Sequence, residues 1–388
     1  MTLGLPAAGL FPSAAPRLPG GTAPHTPGGT VTVSVAQALT AVAHDAAPRP
    51  ARTPRGHRTT PPTCPCPRPD ILADRPDGTV VRHGDVVAKS HAPDTDPAAL
   101  TARIAVAAHP LLAGILLPPL PVPAAARGGA FTTVLYGRPL TLWPYGTPVD
   151  PEDPDAAPWE DAATLLARLH AIAPGALQLP APLPPMRGPA KAARAIARMR
   201  AAAGPHPATA TTAVLRAWAG LPAWARDEAP PPPGRAALCH GDLHLGQLVR
   251  HSADAPSTDA PSTGAPSLDA PSTDRWLLID VDDMGIGDPA WDLARPAAWY
   301  AAGLLAPDVW VRFLGAYRSA GGTAVRTDGD PWPQLDVPAR ALTVQTAALA
   351  LAKSAAENRP LDEVEEMMIE ACARIASLPP ELECEATS

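Results

Sequence analysis

The residues of this 388-residue chain best suited to chemistry form three runs: His240-Gly241-Asp242-Leu243-His244-Leu245-Gly246-Gln247, Leu278-Ile279-Asp280-Val281-Asp282 and Gly287-Asp288-Pro289-Ala290-Trp291-Asp292-Leu293-Ala294. An aspartate in a loop, here Asp242, can accept the proton of an attacking hydroxyl. An amide oxygen five residues later and a second aspartate beyond the next strand make a ligand set of oxygens, the kind that holds magnesium against ATP phosphates. Together they point to phosphoryl transfer.

The elements that must position these residues are readable in outline. A strand at 79–83, the turn Gly84-Asp85 and a strand at 86–91 predict a hairpin with Lys89 near its end. Asp96-Pro97 places a cap before an N1 proline and opens a helix toward His109-Pro110. Two more strands are expected at 132–136 and 140–143, before Pro144-Tyr145-Gly146 breaks the pattern. Helical spacing then dominates, at 158–172, 191–203, 212–225, within 297–320, and at 339–358 and 361–378. A strand at 236–239 delivers the His240 run, and 248–250 with 276–279 predicts a second hairpin. Its tip carries the pentads DAPST, DAPST, GAPSL and DAPST, which have nothing to bury and read as a solvated extension.

Composition bounds the rest. The chain is 46% apolar with a net charge of -7, which suits a globular protein with a sizeable core. Its 54 prolines cluster in the first 70 residues and in later tracts that read as linkers or disordered tails, although 31–44 has the periodicity for one short helix or strand. Acids outnumber bases 38 to 31 and no basic face is evident, so nucleic acid is not an expected partner. No window of about 18 apolar residues marks a membrane span, and Met1–Leu10 lacks a basic n-region, so the expected location is cytoplasmic. Five cysteines, with Cys64 and Cys66 one residue apart, match no zinc-ribbon spacing.

In this order and at these separations, the HGD, IDVD and GDPAWDLA runs resemble the aminoglycoside phosphotransferase family over residues 70 to 380. That family includes antibiotic phosphotransferases, choline kinases, maltokinases and related sugar kinases. The resemblance implies an α+β, two-lobed protein-kinase-like fold. Residues 1–68 would be an extension, 69–146 a small β-rich N-lobe, and 147–388 a larger helical C-lobe with a low-complexity insert at 253–274. It implies ATP and Mg2+ as cofactors and a small-molecule acceptor as partner. By position, Asp242 matches the catalytic base, and His240 the residue that props its loop. Gln247 stands where the family usually has a metal-binding asparagine, Asp280 matches the metal-binding acid, and Asp282 is a further candidate ligand. Lys89 matches the lysine that grips the α and β phosphates, and Trp143 and Tyr145 fall in the segment expected beside adenine.

Several features depart from the family. No acid lies between Asp96 and Asp150, so the glutamate that usually pairs with the strand lysine is replaced by Asp94 or Asp96 or missing. The form HLGQ is similar to maltokinases and amino-sugar kinases, and Glu363, Glu365, Glu366 and Glu370 add acids to the C-lobe, so the expected acceptor is a sugar or amino sugar. An aminoglycoside or a choline-like amino alcohol is the alternative. A catalytically impaired kinase-like binding module is a third reading. Gly241-Asp242-Leu243-His244 also matches the GDxH run of metallophosphoesterases, but their upstream D-x-H and downstream G-N-[HD] do not occur.

Overall fold

The computed structural model describes residues 34–47, 69–75, 77–123, 130–202, 208–234, 236–252 and 274–377. The cysteine pair at 64 and 66, the pentads and the outer part of the N-terminal extension lie outside them. The chain divides into two compact units, one formed by the described residues up to 148 with 249–277, the other by 149–248 with the chain from 278.

The first unit opens with α1 (Val35–Ala46), whose start is fixed by a capping box between Ser34 and Gln37. Strands β1 (Asp70–Arg75), β2 (Gly78–His83) and β3 (Val86–Ser90) follow, then α2 (Pro97–Ala107), β4 (Thr132–Leu135), β5 (Arg138–Pro144) and the short β6 (Thr147–Pro148). The first five strands form an antiparallel sheet in the order β1-β2-β3-β5-β4. Alternation along β2 and β3 turns Val81, Val86 and Ala88 inward, where they pack with Leu140, Leu142 and Val122 against Leu39 and Ala43 of α1. Thus α1 covers one sheet face with an apolar stripe legible in the sequence. β1, which the sequence reading did not anticipate, is an edge strand with Ile71 and Leu72 exposed, so it lacks the alternation that betrays a half-buried strand.

The second unit is mainly helical: α3 (Trp159–His170), α4 (Gly188–Ala201) and α5 (Ala208–Ala219) precede the short strand β7 (Ala237–Cys239). The chain then forms the hairpin of β8 (Leu248–Ser252) and β9 (Asp274–Leu278), which joins β6 in a three-stranded sheet of the first unit. From 278 it continues into β10 (Gly285–Gly287), paired antiparallel with β7, and then α6 (Ala290–Ala302), α7 (Pro307–Ser319), α8 (Trp332–Glu357) and α9 (Glu363–Ile375). The expected start of α8 at 339 is corrected to Trp332, because Pro338 sits within its second turn, where a sequence reading ends helices. Among the described residues no helix is long and apolar enough to cross a membrane.

Candidate active site

Strand β7 carries the chain to His240, and two local constraints shape the loop that follows. Gly241 has φ +85°, and a Cβ there would lie 2.3 Å from the backbone oxygen of Asp283, so only glycine fits. Asp292, fully buried near the start of α6, accepts hydrogen bonds from the backbone N–H of His240 at 2.6 Å and of Gly241 at 2.7 Å. Its Oδ2 also meets Nε2 of His170 at 3.0 Å, and His170 Nδ1 meets the Tyr317 hydroxyl at 2.7 Å. A helix-bracing role, the ordinary expectation for an aspartate at a helix start, is therefore corrected for Asp292: its carboxylate holds the Asp242 loop. Asp288 does act locally, accepting from Ala290 N–H at 2.9 Å.

One residue ties the loop to the second acid run. The backbone oxygen of Ile279 accepts from Nε2 of the buried His240 at 2.8 Å, and its N–H donates to the backbone oxygen of Gln247 at 2.9 Å. Ile279 thus fixes Asp280 beside both His240 and Gln247. Asp280 adopts φ +62°, ψ +77°, a left-handed conformation uncommon outside glycine, and its carboxylate accepts from Asp282 N–H at 3.4 Å. Gln247 is 8% exposed.

The surroundings of Asp242 were not legible in sequence. Its Oδ2 lies 2.6 Å from Nζ of Lys191 on α4, and its Oδ1 2.9 Å from Arg295 on α6. The same ammonium lies 2.7 Å from Asp283, which Arg187 approaches at 3.5 Å. Burial opposes ionisation of Asp242, but Lys191 and then Arg295 outweigh it and hold the carboxyl well below the usual carboxylate range. His244, two residues on, is pushed down to about 4, by burial first and by Arg295 second. Its Nδ1 accepts from Gly246 N–H at 3.1 Å, as befits a neutral loop-packing ring. Lys191 sits in a run with no motif of its own and Arg295 stands one residue past the GDPAWDLA run, and only the antiparallel return of β10 onto β7 hints that the segment around 285 lies beside the loop.

The remaining sequence candidates belong to the first unit. Lys89 lies on β3 in register with Thr141 of β5 and Val80 of β2. Trp143 is 9% exposed, its indole N–H donating to Thr141 Oγ1 at 3.0 Å. The Tyr145 ring lies under the Arg82 guanidinium, 3.4 Å from carbon to ring centroid. Asp96 caps α2 by accepting from Ala98 N–H at 2.9 Å, and the buried charge on that helix is Arg103, not an acid.

A carboxylate on a braced loop, joined through one residue to an oxygen-rich acid turn, is an arrangement that suits phosphoryl transfer. Comparison with known proteins agrees. The model of the Phosphotransferase enzyme family (APH) matches residues 78–257, and the chain belongs to that family, the ATP-dependent small-molecule phosphotransferases. Among solved structures it is similar to the amicoumacin kinase hAmiN in complex with AMP-PNP, Ca2+ and Ami, with TM-score 0.51, 14% identity, and coverage of 79% of this chain and 87% of that one. It is also similar to a thermostable mutant of the aminoglycoside phosphotransferase APH(4)-Ia in its apo form, with TM-score 0.50, 12% identity, and coverage of 81% and 96%. At these identities the likeness shows the fold, the mixed α+β kinase-like one with an N-terminal antiparallel sheet and a helical C-terminal region. No curated protein matches the chain.

Proposed function

We propose that the chain moves the γ-phosphoryl group of ATP to a hydroxyl of a sugar or amino sugar, with Asp242 as the group facing that hydroxyl. The observation that carries this is the double link at Ile279, which sets Asp242, Gln247 and Asp280 on one connected piece of backbone. In the reaction the acceptor oxygen bonds to the γ-phosphorus, the bond from that phosphorus to the β–γ bridging oxygen breaks, and ADP departs with the electron pair. The hydroxyl proton passes to the Asp242 carboxylate and from there to solvent. With its pKa so far down, Asp242 is a weak base. Its work is orientation of the hydroxyl and late acceptance of the proton, which suits a loose phosphoryl-transfer transition state.

The donor set suits a hard divalent cation: Gln247 offers an amide oxygen, Asp280 and Asp282 offer carboxylates, and the left-handed Asp280 is a strained conformation of the kind that clusters at functional sites. Magnesium, when bound, would be held by these three residues and would offset charge on the phosphates. Binding of AMP-PNP with Ca2+ by the amicoumacin kinase supports a nucleotide and divalent metal here. In the first unit, Lys89 is assigned to the α and β phosphates and the segment of Trp143 and Tyr145 to the adenine, on the family's pattern.

The test is ADP release by purified protein with Mg-ATP across sugars, amino sugars, aminoglycosides, choline and amino alcohols. Acceptor-dependent ADP release, lowered by about two to four powers of ten in Asp242→Asn, is the expected result. A second reading, a kinase-like module that binds without turnover, is favoured by the two cations already on Asp242. Nucleotide-analogue binding with no ADP release under any acceptor would establish it in place of the first.

A further inference from the structure

The acid turn that carries Asp280 and Asp282 ends at Asp283, and that far end is tied to the segment leading into α4. Residues 184–187 run alongside 283–286: Ile286 N–H donates to the Pro184 oxygen at 3.0 Å, Met186 N–H to the Ile286 oxygen at 3.0 Å and Arg187 N–H to the Asp283 oxygen at 3.1 Å. In the first turn of α4, Lys191 completes the tie, its Nζ 2.6 Å from Oδ2 of Asp242 and 2.7 Å from Oδ2 of Asp283. Ile279 joins the Asp242 loop to the near end of the acid turn through backbone, and Lys191 joins the two at the far end through side chains. Arg295, the other cation on Asp242, makes no such link among the described residues. Its Nε donates to the Leu243 oxygen at 3.0 Å, within the same loop.

The placement of Lys191 runs against local preference. It stands near the N-terminus of α4, where the helix dipole disfavours a cation and no acid in the first turn offsets it. Lysine also fills only three of the chain's 31 Lys and Arg positions, 89, 191 and 353. A compact ammonium with three rotatable donors can serve two carboxylates on separate segments, whereas the planar fork of an arginine matches a single carboxylate best. Asp242 is bonded once at each oxygen, and a carboxylate offers about four acceptor sites, so a hydroxyl can still be received in the directions that Lys191 and Arg295 leave.

We propose that Lys191 is a positioning residue of the transfer: by bridging Asp242 and Asp283 it fixes the acceptor-facing carboxylate in distance and orientation against the acid turn. It acts through Asp242 and touches no substrate itself. This rests on the phosphotransferase reading above and adds to it a residue outside the three motif runs.

The groups that face Asp242 are Lys191 from α4, Arg295 from α6 and the neutral His244 of its own loop. Asp283 lies beyond Lys191 with Arg187 at 3.5 Å, Asp280 and Asp282 share the acid turn, and Arg194 feels Arg187 and Arg198 against Asp283 and Asp227. The experiment compares wild type with Lys191→Met, using Mg-ATP and whichever of glucose, glucosamine, kanamycin and choline gives the fastest ADP release. Lys191→Met is expected to lower kcat by about 100-fold, the usual cost of misplacing a reacting group by about 1 Å, with ATP affinity nearly unchanged. Burial pushes the Asp242 carboxyl up and, without Lys191, Arg295 is the main group opposing it, so the acid limb of kcat/KM should rise by about one to three pH units. Lys191→Arg keeps the charge and should hold that limb low while recovering about tenfold of the lost kcat. A purely structural tie would lower the melting transition and leave the limb of the folded protein in place. A folded Lys191→Met with kcat within about threefold of wild type, or with an unmoved acid limb, overturns the inference while leaving phosphoryl transfer intact. Should Lys191→Met not fold, Asp283→Asn is measured in its place, since it removes the charge at the other end of the bridge. A fall in kcat of about tenfold or more at unchanged ATP affinity upholds the inference, and an unchanged kcat or a weakened ATP affinity overturns it. Absence of ADP release by wild type with every acceptor, in protein shown to bind nucleotide, overturns the phosphotransferase reading and this inference with it.

Discussion

Replacing Asp292 by asparagine removes the brace of the Asp242 loop at almost constant shape. The native carboxylate takes three hydrogen bonds: from His240 N–H, Gly241 N–H and His170. An asparagine has one oxygen. Turned to its best, that oxygen keeps His240 and His170 and points an NH2 group at the Gly241 N–H, so one charge-assisted bond, about 1.5–3 kcal/mol, is lost. Two buried donors then face each other, adding about 1–3 kcal/mol of unmet hydrogen bonding. The expected cost is about 2.5–6 kcal/mol. Seven of the nine tryptophans lie in the second unit, so denaturant unfolding followed by their fluorescence reads this change directly. Acid provides a sign check. Burial disfavours the ionised form of Asp292, but the bond and charge of His170 prevail and its carboxyl is held below its ordinary value. Its stabilisation is therefore present above the unfolded pKa, near 3.9, and is lost as pH falls through the lower folded value. The gap between wild type and Asp292→Asn should hold from pH 5 to 8 and close only in stronger acid. A gap below about 1 kcal/mol at pH 7 would show that the loop does not lean on this carboxylate.

Asp242→Asn should lower kcat by about two to four powers of ten with ATP affinity nearly unchanged, and a fall of less than about tenfold would remove Asp242 from its role. Asp280→Asn should weaken nucleotide binding in the presence of magnesium far more than in its absence; titration under both conditions separates the cases, and equal loss in both contradicts metal ligation. His244 is neutral across the physiological range, so His244→Gln should leave the pH–rate profile between pH 5.5 and 8 in place, and a shifted limb would show that the ring titrates there. Excision of 253–273 should change stability by about 1 kcal/mol or less and leave kcat unaltered, because loop closure depends weakly on length; a collapsed melting transition would contradict it.

Local signals reached as far as local causes extend. The hairpin bearing Lys89, the Asp96-Pro97 start of α2 and the inward stripe of α9 follow from alternation, capping and helical period, each read within a dozen residues. The three motif runs likewise marked the loop and the acid turn. What stayed hidden acts across the chain: Asp292 braces residues 51 and 52 positions away, and His170 reaches it across 122. Lys191 and Arg295 look in sequence like solvated helix charges, and only the packing of α4 and α6 turns them onto Asp242. Pairing partners at such distances are set by tertiary packing, which no periodicity encodes.

The left-handed backbone at Asp280 separates two kinds of fitness. Glycine accepts that φ without a Cβ penalty, and the relief of about 1 kcal/mol is comparable to the extra chain entropy a glycine loses on folding. Asp280→Gly would then be thermally silent while removing a proposed metal ligand. A library of variants of this chain sorted by melting temperature or by soluble yield would retain that substitution freely. Sorted by turnover, the same library would lose it at once, so position 280 would distinguish selection for folding from selection for chemistry in any collection of natural or laboratory variants.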